Sequence, residues 1–272
     1  MTTHLENAPL VELIAELRWK PEALGGELPI QPAGTNSPAF FAGNTNSFEE
    51  FFVRFGASVA REGFRNTERI SPAGFPIVAF QPVYRFRKNA NDDASVLYQV
   101  GAGMFSANAI PPYQNWDKFS PVVAAGVNGV LQTRSDKEKD ASFVAVSLRY
   151  IDAFGPAFTE GADVATFLDS KLGIRFTLPP GLSKVLAEGR TALPLIQLQL
   201  PMPNDMVMNI GLGEGIANNT KAIIVDTTVG TLKPIAANLN SVMQAMNVAH
   251  TAIHNMFFEI TKPLEKIMRP MN

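Results

Sequence analysis

Phe143–Phe154 reads FVAVSLRYIDAF, and the alternation within it decides how the rest of the chain is interpreted. Val144, Val146, Leu148 and Tyr150 fall on one side, and Ala145, Ser147 and Arg149 on the other. That is the period-2 pattern of a half-buried β-strand. Leu10–Lys20 (LVELIAELRWK) alternates in the same way. Val11, Leu13, Ala15, Leu17 and Trp19 share one side, and Glu12, Ile14, Glu16 and Arg18 the other. Shifted by 131 positions, Leu13, Ala15, Leu17 and Trp19 land on Val144, Val146, Leu148 and Tyr150, and Arg18 lands on Arg149. Each stretch ends in Leu-Arg-aromatic. They are read as the opening strands of two similar halves, residues 1–136 and 137–272. A single unrepeated α+β domain is the alternative.

In the first half the opening strand is followed by a Pro- and Gly-rich segment, residues 21–46, carrying Phe40 and Phe41. Its length marks it as a functional flap or a packed insertion. Ser47–Phe64 reads as a helix, with a Ser47/Glu50 capping box and a stripe of Phe48, Phe51, Phe52, Phe55 and Val59, stopped near Gly63. Ile77–Arg87 and Ser95–Phe105 read as an antiparallel pair around a polar turn over 88–93. Trp116–Thr133 reads as a helix capped by Asn115, and the charged run Arg134–Asp140 as a solvated boundary. The second half repeats the pattern. Asp163–Leu172 is a short helix closed by Gly173, and Leu195–Leu200, Met206–Leu212 and Lys221–Thr227 are strands. A final helix runs from about Ile235 to Met268, with a seam of Leu239, Val242, Met246, Ala249, Ile253, Phe257, Ile260, Leu264 and Ile267. Pro263 kinks or splits it. The seam covers the sheet or meets its twin in another subunit. The expected architecture is α+β: an antiparallel sheet with helices on one face, built from two halves of strand-helix-strands-helix.

Composition narrows the function more than any motif does. Hydrophobic residues make up 46% of the 272 and charged residues only 18%, which argues for deep burial or an apolar surface used in association. The formal net charge of −2 is spread evenly over both halves, so bulk electrostatics favours neither nucleic acid nor anionic membranes. The chain has no cysteine, which removes disulfides, thiolate metal sites and a cysteine nucleophile. The N-terminus lacks the basic, uninterrupted apolar pattern of a signal peptide, and no apolar run approaches the roughly 18 residues of a membrane span. A cytoplasmic protein is expected.

Candidate chemistry is sparse. His250 and His254 stand at a metal-ligand spacing on the last helix, but Thr251 replaces the glutamate of the usual zinc motif. They are read as core or edge histidines, and no metal or cofactor is assigned. Gly211–Gly215 lacks a following Lys-Ser/Thr and a helix, so it is read as a hairpin turn ending at Asn218-Asn219. Gly101-Ala102-Gly103 is read as a strand-end feature or bulge. Arg18 and Arg149 are the candidate ligand-binding pair, with Asp152 beside the second. Two guanidinium forks related by the repeat would suit a carboxylate or phosphate. The alternative is a structural ion pair for each, with Glu16 or Asp152. No nucleophile–base–acid set is found.

One ordered series resembles a known family. It comprises Asn7-Ala8-Pro9-Leu10-Val11-Glu12, Glu16-Leu17-Arg18, Leu97-Tyr98-Gln99-Val100-Gly101, Phe105-Ser106-Ala107-Asn108 with Pro112-Tyr113, and Leu148-Arg149-Tyr150-Ile151-Asp152. It is similar to a sporadically distributed family of bacterial proteins of similar length and unassigned function. The resemblance implies an accessory role, in defence or toxin-linked loci, and supplies no catalytic residue. Two function classes follow. One is a non-enzymatic protein- or peptide-binding assembly module that forms a homo-oligomer. The other is a binding protein or enzyme for a small anionic ligand, with its site at the junction of the halves. Neither a membrane nor a nucleic acid is an expected partner.

Overall fold

In chain order the elements are β1 (His4–Leu5), β2 (Leu10–Trp19), α1 (Asn46–Ala60), β3 (Asn66–Arg69), β4 (Tyr84–Arg87), β5 (Val96–Gly101), β6 (Met104–Ala109) and α2 (Trp116–Thr133). There follow β7 (Phe143–Phe154), α3 (Pro156–Thr159), α4 (Val164–Leu172), α5 (Pro180–Ser183), β8 (Ile196–Met202), β9 (Met206–Ala217) and β10 (Thr220–Thr231). The chain closes with α6 (Leu239–Ile260), a 3-10 turn at Lys262–Leu264, α7 (Glu265–Met268) and β11 (Pro270–Met271). The computed structural model describes residues 4–21, 46–72, 74–89, 95–112, 115–175, 177–189 and 192–271. The flap or insertion expected over 21–46 lies almost wholly outside these residues, as do the polar turn beyond Lys88-Asn89 and the side chain of Ser47 in the expected capping box.

Nine strands form one antiparallel sheet in the order β3-β4-β5-β6-β2-β7-β10-β9-β8, and β1 pairs separately with β11. The protein is therefore α+β. The two alternating stretches, β2 and β7, are immediate neighbours at the centre, with Leu13 opposite Tyr150, Ala15 opposite Leu148 and Leu17 opposite Val146. Their apolar residues make a common stripe. Leu13, Ala15, Leu17, Trp19, Val146 and Leu148 are all buried, as their alternation requires.

Two hairpins differ from the expected pattern, each because of a turn. Ser95–Phe105 is not one strand. The chain reverses at Gly101-Ala102-Gly103, where Gly103 has φ +73°. A Cβ on Gly103 would lie 2.5 Å from the Trp19 carbonyl oxygen, and one on Gly101 would collide with the Gln81 carbonyl. Glycine is needed at both places. The return strand, β6, then pairs with β2. Gly211–Gly215, expected as a turn, lies inside β9, and the turn is Asn218-Asn219 alone. Both asparagines take positive φ, the backbone a two-residue hairpin demands. The short strand β3 was not expected. It carries Glu68 and Arg69, all four of its residues are exposed, and it shows no apolar alternation to read.

The main helices follow their periodicity. In α2 the Asn115 side chain accepts from the Lys118 N–H at 3.0 Å, and in α4 that of Asp163 accepts from Thr166 N–H at 2.9 Å, with Gly173 left-handed beyond the last turn. The last helix starts later than its seam suggested. Asn238 caps it by accepting from Ser241 N–H at 2.8 Å, while Ile235 exchanges two backbone bonds with Phe143. At the other end Pro263 splits it into α6, the 3-10 turn and α7. Val242, Met246, Ala249 and Ile253 of the seam are buried, and α6 packs on β7 and β10.

The boundary run is only partly solvated. Arg134 is 3% exposed, and its Nη1 and Nη2 donate to the Ala141 and Lys139 carbonyls at 3.0 and 2.7 Å. Its guanidinium lies over the Phe143 ring at 4.7 Å and the Trp19 ring at 5.8 Å, and Trp19 Nε1 donates to Glu138 at 3.1 Å. The run is thus anchored to the ends of both central strands by one arginine. Arg134→Ala is expected to destabilise the fold by about 2–4 kcal/mol, through lost charge-assisted bonds and two lost ring contacts. Chemical denaturation checks it. A loss under about 0.5 kcal/mol, the scale of an ordinary surface change, would contradict this role.

Candidate functional site

The strand alternation that buries Leu13, Ala15 and Leu17 turns Glu12, Glu16 and Arg18 to the opposite side of the sheet, and in β7 it turns Arg149 there too. The sequence-derived arginine pair therefore does share one side of the two central strands. Arg18 stands opposite Ala145 and Arg149 opposite Ile14, so they are four residues apart along the pair. At about 3.4 Å per residue that places their backbones about 14 Å apart.

Each arginine already has a carboxylate. Arg149 Nε and Nη2 donate to the two oxygens of Asp226 at 2.7 and 2.5 Å, a two-pronged fork across β7 and β10. The hydrogen bonds it donates to Asp226 raise the Arg149 pKa further, against the pull of burial. Arg18 Nε donates to Glu16 at 2.5 Å, and its guanidinium lies 5.5 Å from the centre of the Phe80 ring. Beside them runs a polar string across β2, β6 and β5. Asn108 Nδ2 donates to Glu12 at 2.7 Å, and Ser106 donates to Asn108 Oδ1 at 2.8 Å, with Gln99 Oε1 3.5 Å from the same hydroxyl. An incoming anion would have to displace Asp226 or Glu16.

Asp152, the third residue of the sequence-derived set, is not brought to Arg149. It is three positions on, in the alternation of Leu148 and Tyr150, opposite the buried Val225, and is 4% exposed. Burial, and secondarily the negative charge of Asp226, push its carboxyl up to about 7. On the same side lies a cluster built on α6. The Tyr150 hydroxyl and His250 Nδ1 are 2.8 Å apart, His250 stacks on Trp116 at 5.1 Å, and Trp116 Nε1 donates to Asn247 at 2.8 Å. Burial, then the neighbouring His254, pull the His250 pKa down to about 4, with Asp117 opposing. His250 is thus a histidine packed in the core edge with a hydrogen-bonded ring, and no group of three metal-ligating side chains occurs among the described residues. Thr227 Oγ1 and His254 Nε2 are buried without a partner there.

The outer flank of α6 borders an open groove of about 780 Å³. Its walls include Met202 at the end of β8, Pro203 of the β8–β9 turn, and Met243, Val248 and Ala252 of α6, with Asn247 among its polar groups. That volume is within the range of ligand and peptide sites. Sequence periodicity could not disclose it, since Val248 and Ala252 lie beside the seam and gain meaning only from the turn facing them. Asp226 was equally hidden. Its place in β10 follows from alternation, but its partner follows from the strand order. No protein-family model, curated protein or solved structure matches the chain.

Proposed function

We propose that this chain is a non-enzymatic assembly module that binds protein, its own copies included, through apolar surface on its second half. The observation that carries this reading is the distribution of exposed hydrophobic side chains. Of the twelve large ones left open among the described residues, nine fall between Leu182 and Leu232. Exposed apolar residues are ordinarily dispersed along a chain, and their concentration in one stretch of it is what supports an interaction surface there.

The reading includes a duplication. Outward from the centre, β2, β6, β5 and β4 on one flank correspond to β7, β10, β9 and β8 on the other, with α1 answering α4, α2 answering α6, and the helices forming one layer. In the first half α1 roofs the outer strands, its Phe55 meeting Phe86, Tyr98 and Phe105. In the second, Leu198 and Leu200 of β8 stay 39% and 44% exposed, and the groove runs beside α6. The open strands are where the interaction surface lies on this reading. No helix among the described residues is long and apolar enough to cross a membrane, and a cytoplasmic setting belongs to the same proposal.

Light scattering of the full chain over a range of concentrations tests it. An assembly larger than one 29.5 kDa chain is expected. A strict monomer that also retains no partner in affinity capture would remove the reading. The competing reading, an anionic ligand held by Arg149, requires that Asp226→Asn free the fork and raise anion affinity.

A further inference from the structure

We infer that two copies of the chain join edge to edge through β8, antiparallel about a twofold axis at Leu198, so that their sheets become one. This rests on the self-association reading above and adds its geometry. The two edges of the nine-stranded sheet differ in kind. One edge, β3, is four residues long and carries Glu68 and Arg69, with Glu68 paired to Arg85, which are common devices against edge pairing. The other, β8, is seven residues long, uncharged and regularly paired to β9 throughout its length. Its five inner residues are all exposed. Such an edge is a ready template for another strand.

What selects a second copy over a foreign strand is the order of side chains. Ile196-Gln197-Leu198-Gln199-Leu200 reads the same by type in both directions about Leu198. A twofold interface must be self-complementary, and an antiparallel strand pair centred on a palindrome is so automatically. Leu198 would meet Leu198 of the other copy, Ile196 would meet Leu200, and Gln197 would meet Gln199. The leucines lie on the side of Ile210 and Met208, to which they are paired in β9, so the apolar layer would continue across the axis.

The backbone agrees with this register. Pro201 is opposite Val207 in the ladder, and a proline within a sheet turns its nitrogen to the open edge. Gln199 and Gln197, two and four residues earlier, then point their own N–H and C=O groups outward as well. With the axis at Leu198, Gln197 of one copy faces Gln199 of the other, and each such pair exchanges both backbone hydrogen bonds. Leu198 becomes a non-hydrogen-bonded pair, whose Cα atoms approach to about 4.5 Å.

The absence of cysteine makes a direct test available. In the full-length Leu198→Cys variant under mild oxidation, a disulfide-linked dimer is expected in high yield, because that separation suits a disulfide. Ile196→Cys and Leu200→Cys, each facing the other position rather than itself, should not cross-link alone. Leu198→Lys should abolish the dimer while leaving the circular dichroism spectrum unchanged, since the side chain leaves no core. A monomeric wild type would overturn both this inference and the self-association beneath it. A dimer that survives Leu198→Lys and forms no Leu198→Cys cross-link would overturn the β8 interface alone, as would a wild type whose β8 pairs only with the strand of a different protein.

Discussion

Phe55→Ala is expected to lower the free energy of unfolding by about 3–5 kcal/mol, the usual cost of emptying a buried phenylalanine site. Phe55 is fully buried, and its ring sits 5.4 Å from Phe86, 5.7 Å from Phe105 and 6.1 Å from both Tyr98 and Phe51. It ties α1 to three successive strands. From above, α2 comes so close that a Cβ on Gly129 would lie 3.2 Å from the Phe55 ring. Few neighbours can move into the vacated space, because they are rings held by other rings, so the high end of the range applies. A urea titration should show the midpoint fall with an unchanged slope. A loss below about 1 kcal/mol would mean that the aromatic cluster collapses freely and does not hold α1 to β4, β5 and β6.

Asp152→Asn is expected to change how stability depends on pH, and His250→Gln to change it in the opposite sense. The Asp152 carboxyl is raised from 3.8 to about 7 by burial and by Asp226. Between those values the folded state holds a proton that the unfolded state has released, so stability falls as pH rises through that window. His250 is lowered from 6.5 to about 4 by burial and by His254. Between those values the unfolded state holds the extra proton, so stability rises with pH. The two slopes oppose each other over nearly the same window, and the wild type should be almost flat there. Asp152→Asn removes the falling contribution and should leave stability climbing from pH 4 to 6.5. His250→Gln should leave it declining up to about pH 7. Equilibrium unfolding at several pH values decides it. Parallel profiles for the two variants would show that these groups do not set the balance.

Much of the fold was legible because it depends on local order. Alternation exposed β2 and β7, a 3.6-residue period exposed α2 and the seam of α6, and Asn115, Asp163 and Gly173 marked helix ends by chemistry that needs no distant partner. Where the expected elements differ from the observed ones, the causes are mostly distant. Ser95–Phe105 breaks into β5 and β6 at Gly101-Ala102-Gly103, a strand end where the Trp19 and Gln81 carbonyls, arriving from elsewhere in the chain, leave room only for glycine. The glycines of 211–215 do not turn, because Asn218-Asn219 supplies the left-handed pair instead. Arg134 looked solvated inside a charged run, and only the meeting of Trp19 and Phe143 makes a covered place for it.

The sequence alone determined which residues alternate, which faces are apolar, and that Arg18 and Arg149 stand on the polar sides of β2 and β7. Backbone periodicity forces these outcomes. Only the tertiary structure decided what those residues meet. It set β10 beside β7, so Asp226 and not Asp152 fills the Arg149 fork. It left β8 at an edge, so a plain alternation of leucine and glutamine became an open, palindromic strand. Strand order is a long-range choice among pairings of similar local energy, and no short stretch of sequence records it.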